Sequence, residues 1–226
     1  MTRAGADGCR AGWVVATDDG GRLAVHVVPA FRDVLMLAAG VVAVDIPIGL
    51  PEAGPRDADR LARRASGRPS SVFPVPVRPV LGLATHAEAS ARHREVDGRG
   101  LTVEAFGILP KIAEVDALLR SDADAAARTF EVHPEVSFAA MAGGPLVHAK
   151  KTAEGRVERL ALLAGPFGDA PERLAPRLPR SAVAPDDVLD AFAALWSARR
   201  IAAGTAQSLP EAPPRDARGL PMAIRV

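Results

Sequence analysis

Two apolar runs near the start of the chain, Trp13–Ala16 and Leu23–Val28, flank the turn-forming Asp18-Asp19-Gly20-Gly21. Runs of that kind on either side of a Gly-rich turn predict antiparallel pairing. Ala4–Asp7, stopped by Gly8, adds a third strand and completes a meander. Phe31, Val34, Leu35 and Leu37 then recur at helical spacing, which predicts a helix over Phe31–Ala39. The stretch VVAVDIPIGLP follows as a continuous apolar run, the pattern of a parallel strand covered on both faces. Pro47, Gly49 and Pro51 keep that strand from continuing past Asp45.

Beyond it the pattern turns helical. RDADRLARRA, Arg56–Ala65, predicts a short basic helix with Asp57, Arg60 and Arg64, and Asp59 and Arg63, in ion-pairing register. Four prolines within Arg68–Val80 keep the next segment irregular and long enough to be functional or mobile. Further helices are predicted over His86–Val96 and Thr102–Arg120, the second interrupted at Pro110, so that 52–122 forms a helical insertion between two strands. RTFEVHPEVSF is the next strand and passes into a helix after Pro134, whose fixed φ suits a first turn. Thr152–Ala164 gathers Val157, Leu160, Ala161 and Leu163 on one side, and the Pro/Arg-rich Pro166–Pro185 reads as a surface connection. PDDVLDAFAALWSARRIAAG carries acids at its start, Arg199 and Arg200 in its last turn and Gly204 at its stop, all marks of a helix. Met222–Val226 predicts a short final strand.

Composition narrows the chemistry. The 226 residues, 48% hydrophobic, suit one α/β domain with a sizeable insertion. No apolar run is long enough to span a bilayer and no leader-like stretch opens the chain, so a cytoplasmic protein without a membrane partner is expected. Cys9 is the sole cysteine, which excludes an intrachain disulfide, a cysteine-based zinc site and a redox pair. It also excludes a deaminase reading of His133-Pro134-Glu135, which needs a downstream cysteine pair. A net charge of +1 provides no global basic field, so nucleic-acid binding would require a local patch. No P-loop motif is present.

Carboxylates carry the candidate chemistry. Asp45, at the carboxyl end of a buried strand, stands where open α/β sheets place ligands, or else caps the turn that follows. In the last helix Asp187 and Asp190 share a face with Ala191, Ala194 and Ala198, small residues that let a helix approach a sheet closely. Acids pressed together there repel unless a cation or proton lies between them, although acids in a first turn also favour the helix dipole. With Asp7 and Glu131 they form a set whose oxygen chemistry suits Mg²⁺ or Mn²⁺.

The order of a strand aspartate, a meander, a helix, a second strand aspartate, a later strand glutamate and a helix with Asp-x-x-Asp-Ala resembles the RNase H-like fold. DDVLDAFAALWSA is similar to the last helix of Holliday-junction resolvases. More closely, GADGCRAGWVVA, VDIPIGLP, ADRLARRASGRPSSVFPVPVR, LPKIAEVDALLR, FEVHPEVSF, KKTAEGRVERLALL and DDVLDAFAALWSARR resemble a prokaryotic domain-of-unknown-function family (DUF429) described as predicted nucleases. The resemblance implies an RNase H-like mixed sheet flanked by helices. It implies a nuclease or phosphodiesterase dependent on Mg²⁺ or Mn²⁺, with Asp7, Asp45 and either Asp187 or Asp190 at the positions of its metal ligands; Glu131, in the family's own E-x-H-P-E element, is a further candidate ligand without a counterpart in the superfamily. Asp45 stands where resolvases commonly carry Glu.

Second-rank candidates flank these acids. His133 would activate water, orient a phosphate or bind metal, or merely hydrogen-bond a helix start, and Glu135 reads as a first-turn acid. Lys111 would meet a phosphate or pair with Glu114 at i, i+3. Arg60, Arg64, Arg68 and Arg78, with Ser70 and Ser71, would form a phosphate-binding lid. Lys150, Lys151, Arg156 and Arg159 would bind a polyanion or solvate a loop and helix face. Beside a nuclease acting on nucleic acid, the alternatives are a metal-dependent hydrolase or phosphotransferase on a nucleotide or other small phosphorylated molecule, and a non-catalytic RNase H-like binding protein.

Overall fold

The structure is a computed structural model that describes residues 1–38 and 40–226. Strands β1 (Arg3–Cys9), β2 (Gly12–Asp19) and β3 (Arg22–Val28) form the expected meander. Helix α1 (Phe31–Leu37) leads to β4 (Val42–Val44); Ala39, the expected end of that helix, lies outside the described residues. Between β4 and β5 (Thr129–Glu131) come α2 (Asp57–Ser66), α3 (His86–Asp97), α4 (Val103–Ser121) and α5 (Ala123–Arg128). The rest is α6 (Pro134–Ala142), α7 (Ala153–Phe167), α8 (Ala170–Leu174), α9 (Pro185–Ala202) and a small ladder of β6 (Ser208–Leu209) with β7 (Ile224–Arg225).

The sheet order is β3-β2-β1-β4-β5, with β1, β4 and β5 parallel and β2 antiparallel to both neighbours. This α/β mixed sheet is consistent with an RNase H-like arrangement. Alternation along the strands divides the core in two. Ala4, Ala6, Trp13, Val15, Val42 and Val44 face α1 and the helices of the insertion, while Val14, Ala16 and Ala43 face α6 to α9.

Two departures from the expected elements have physical causes. Helix α4 runs unbroken through Pro110, flanked by buried Leu109 and Ile112; their burial offsets the cost of about 3 kcal/mol for an interior proline. The expected surface connection over 166–185 instead begins inside α7 and contains α8. Phe167, Ala170 and Leu174 are buried there, and Phe167 packs edge-on against Phe192 at 5.2 Å. Among the described residues no helix is long and apolar enough to cross a membrane.

Candidate active site

Parallel pairing brings the first two aspartates together. Ala6 lies opposite Val44, and the Asp45 amide donates to the Ala6 carbonyl at 3.0 Å, so Asp7 and Asp45 leave adjacent strands at the same level. By alternation both side chains point to the face covered by α9. Helix α9 crosses that face closely because β1 offers Gly5. A Cβ there would stand 2.0 Å from the Leu195 nitrogen and 2.3 Å from the Ala191 oxygen. The small face of α9 thus meets a glycine, and Asp190, one turn ahead of Ala194, is lowered into the carboxyl end of the sheet. Asp187 sits a turn earlier, half-buried, and its carboxylate accepts from the Ala184 amide at 2.9 Å, a helix-capping bond.

Burial first, then repulsion from Asp45, Asp190 and Asp187, holds the Asp7 carboxyl well above the usual carboxylate range. Asp45 is pushed up to about 7, by burial and by Glu135, against the pull of Lys150. Asp190 is pushed up to about 6 by burial, with Asp45 and Glu135 adding and Lys150 opposing. The Lys150 Nζ stands 2.7 Å from Asp190 Oδ2 and 3.7 Å from Asp186 Oδ2. Burial disfavours its charge, yet Asp190 holds the ammonium protonated well above the ordinary lysine range. Neither sequence expectation for Lys150, a polyanion contact or a solvated face, describes this position. Glu135 is also more than a first-turn acid: it is buried, and its Oε1 accepts from Arg159 at 2.6 Å.

Glu131 lines the same cleft but its carboxylate does not turn toward these acids. Val44 pairs with Glu131, so the two share a sheet face, the one opposite Asp7 and Asp45. There Arg56 takes both carboxylate oxygens, at 2.6 and 2.8 Å, and the Ile48 amide donates to Oε2 at 2.7 Å. Arg56 also binds Asp59 at 2.6 Å, forming a buried network that ties the loop after β4 to β5 and α2. The expected strand-borne metal ligand is therefore a structural ion-pair member.

His133 lies at the cleft wall. Its Nε2 is 3.1 Å from the Ser71 carbonyl. A carbonyl only accepts, so Nε2 carries the proton and Nδ1 presents a lone pair. Nδ1 is buried and has no partner among the described residues. Burial pushes the ring below the ordinary histidine range, so it stays neutral.

Asp7, Asp45, Asp190, Glu135, Lys150 and His133 line one cleft of about 640 Å³. Lys111, Lys151, Arg68, Ser70, Ser71 and half-exposed Phe73 line it too, with apolar Ile46, Val75, Ile108 and Ile224. Lys111 does not pair with Glu114: its ammonium donates to the Gly12 carbonyl and lies 4.6 Å from the Trp13 ring centre. Glu114 instead accepts from the Phe31 amide at 2.6 Å and from the Trp13 indole at 3.2 Å, capping α1. The arginine lid does not assemble as expected. Arg60 makes an exposed pair with Asp57, exposed Arg64 lies outside the cleft, and Arg78 is buried between Asp116 and Asp216. Arg68 lines the cleft but donates to the Leu146 and Val147 carbonyls. Of Arg156 and Arg159, the latter is buried on Glu135.

As the side chains stand, no three His, Cys, Asp or Glu among the described residues are set to hold a metal ion. The donor chemistry nevertheless fits a hard divalent cation: Asp7, Asp45 and Asp190 supply oxygen alone. The Lys150 ammonium touches Asp190 and acts by its charge on Asp7 and Asp45, and a buried His133 nitrogen on the cleft wall lacks a partner among the described residues. A family model described as "Protein of unknown function (DUF429)" matches residues 5–215. No curated protein and no solved structure matches the chain.

Proposed function

The chain belongs to the DUF429 family, whose description assigns no activity, and from that premise we propose that it is a divalent-metal-dependent phosphodiester hydrolase of the nuclease type, acting in the cytoplasm. The observation that carries this reading is the convergence of Asp7, Asp45 and Asp190 from β1, β4 and α9, each with its carboxyl pushed upward in pKa. Carboxylates gathered at that cost call for positive charge, and Mg²⁺ or Mn²⁺ would add a Lewis acid and a polarised water there. Asp7, Asp45 and Asp190 would hold the ion; Asp187, engaged in its capping bond, would act only through its charge.

The chain's own residues serve a phosphate substrate in complementary ways. Lys151 and Lys111 supply positive charge at the cleft, and Ser70 and Ser71 supply hydroxyl donors. Neutral His133, its Nδ1 lone pair unpartnered but buried, would serve as a hydrogen-bond acceptor at the cleft wall. The apolar wall excludes water from one side of the reacting group. A second reading, a small phosphorylated molecule such as a nucleotide, is favoured by the cleft's extent of about 640 Å³ and by Phe73, its one half-exposed aromatic.

The test is hydrolysis of single-stranded oligonucleotides and of a nucleotide panel with Mn²⁺ or Mg²⁺, by wild type and by Asp190→Asn. Cleavage lost on chelation and reduced at least about a hundredfold by the substitution supports the reading. Activity untouched by chelation and by Asp190→Asn refutes it.

A further inference from the structure

We propose that Lys150 is the resident counter-cation of the carboxylate cluster, occupying its charge position until a divalent ion displaces the ammonium. The proposal rests on the reading of Asp7, Asp45 and Asp190 as metal-holding acids and states how that site is kept closed and then loaded.

Geometry carries the first step. The ammonium touches Asp190 at 2.7 Å and stands 3.7 Å from Asp186, so it faces α9 from across the cleft. It is not confined to one partner: its charge also draws against the carboxyls of Asp7, Asp45 and Asp187. Arg159 is committed to Glu135 and to the Gly155 carbonyl, and Lys111 and Arg68 donate to backbone carbonyls. Lys150 is thus the positive charge that serves Asp190 and its neighbours, and it is too little for three carboxylates. A divalent ion would bring two charges to the same oxygens and would repel an ammonium left among them.

Mobility carries the second step. Lys150 belongs to the loop between α6 and α7, and its side chain is 36% exposed, against 2% for Arg159 and 1% for Arg56. The loop backbone is anchored on both sides. Glu158 accepts from the Val147 and His148 amides at 2.8 and 2.9 Å, and the Thr152 hydroxyl caps α7 through the Gly155 amide at 3.0 Å. Only the four-carbon stem needs to turn for the ammonium to leave, and a lysine, unlike a bidentate guanidinium, is a point charge on a flexible arm. Arg92, exposed on α3 and paired with Glu95 at 2.7 Å, lies outside the cleft and serves as an internal control.

The experiment is Mn²⁺ titration by calorimetry on the full chain at about pH 8, above the values of about 7 for Asp45 and about 6 for Asp190. Lys150→Met should bind Mn²⁺ at least about tenfold more tightly than wild type, the scale of one removed opposing charge, with Arg92→Met within about twofold. Equal affinities for wild type and Lys150→Met overturn the proposal and leave the metal reading standing. Absence of Mn²⁺ binding in both defeats the metal reading and the proposal with it. Should Lys150→Met fail to fold by circular dichroism, wild type labelled with ¹³C-lysine decides the matter, because Lys111, Lys150 and Lys151 are its only lysines. Saturating Mg²⁺ should then shift the Lys150 side-chain signal most, and a Lys150 signal unmoved in Mg²⁺-bound protein overturns the proposal.

Discussion

Replacing Asp45 by asparagine tests whether the carboxylate cluster carries uncompensated charge. An acid that holds its proton more tightly in the folded chain than in the unfolded one loses stability for the fold as pH rises between the two values. Asp45 has a folded value of about 7 against an ordinary 3.8, so its cost is absent below about 3.8 and fully present above about 7. That interval, at about 1.4 kcal/mol per pH unit, corresponds to about 4 kcal/mol. Asp45 is partly exposed, so water entering the cleft reduces the effect, and about 2–4 kcal/mol is the expected range. At low pH the charge difference between wild type and variant vanishes, because a protonated carboxyl and an amide are both neutral. The Asp45→Asn variant should therefore gain about 2–4 kcal/mol on wild type between about pH 4 and about pH 8 in metal-free buffer.

Urea denaturation followed by the fluorescence of Trp13 and Trp196 measures the two stabilities at each pH. Comparing variant with wild type cancels the opposing contributions of other groups, such as His26 and His133, whose values are lowered by burial. Saturating Mg²⁺ should then restore wild type selectively, by about 2.7 kcal/mol at a hundred times its dissociation constant. The reasoning is refuted if wild type gains on the variant as pH rises. That sign would mean that the Asp45 carboxylate is satisfied by a partner in the folded chain, as a turn cap would be.

Further outcomes follow from the same geometry. Arg56→Met leaves Glu131 and Asp59 buried without their cation and should cost about 3–5 kcal/mol, or a fall of about 6–20 °C in Tm by scanning calorimetry. Glu131→Gln should likewise destabilise the fold while leaving Mn²⁺ affinity within about twofold; a loss of metal binding without a stability change would return Glu131 to the site. Gly5→Ala drives a methyl group into the backbone of α9 and should cost at least about 3 kcal/mol or abolish soluble expression. Asp187→Asn should weaken Mn²⁺ binding less than about fivefold, whereas Asp190→Asn should weaken it at least about a hundredfold, both read by calorimetry.

The elements were legible because their signals are local. The Gly20-Gly21 turn, the apolar run ending at Asp45 and the small-residue face of α9 are each contained in a short window, and each appears where the pattern predicts it. Asp7, Asp45 and Asp190 were also legible as strand-end and helix-face acids. Register was not. Glu131 and Asp45 both end buried strands, and no local pattern says that the pairing of Val44 with Glu131 turns them to opposite faces. The partnerships of Glu114, Arg78 and Arg159 are equally silent in sequence: Arg78 meets Asp216 across 138 positions, and Glu114 caps Phe31 across 83.

The sequence by itself determined most of the strands and helices, α5, α8 and β6 excepted, that the sheet is mixed, and that acids stand at the carboxyl ends of its parallel strands. Hydrophobic period, turn residues and caps act over a few neighbours, so a linear pattern contains them. The tertiary structure alone decided which acids share a cleft and which cation faces them. Those outcomes depend on a one-residue register between strands and on the close seat of α9 over Gly5. They also depend on a loop lysine that reaches Asp190 from 40 positions away, where electrostatics acts through space and leaves no periodic trace along the chain.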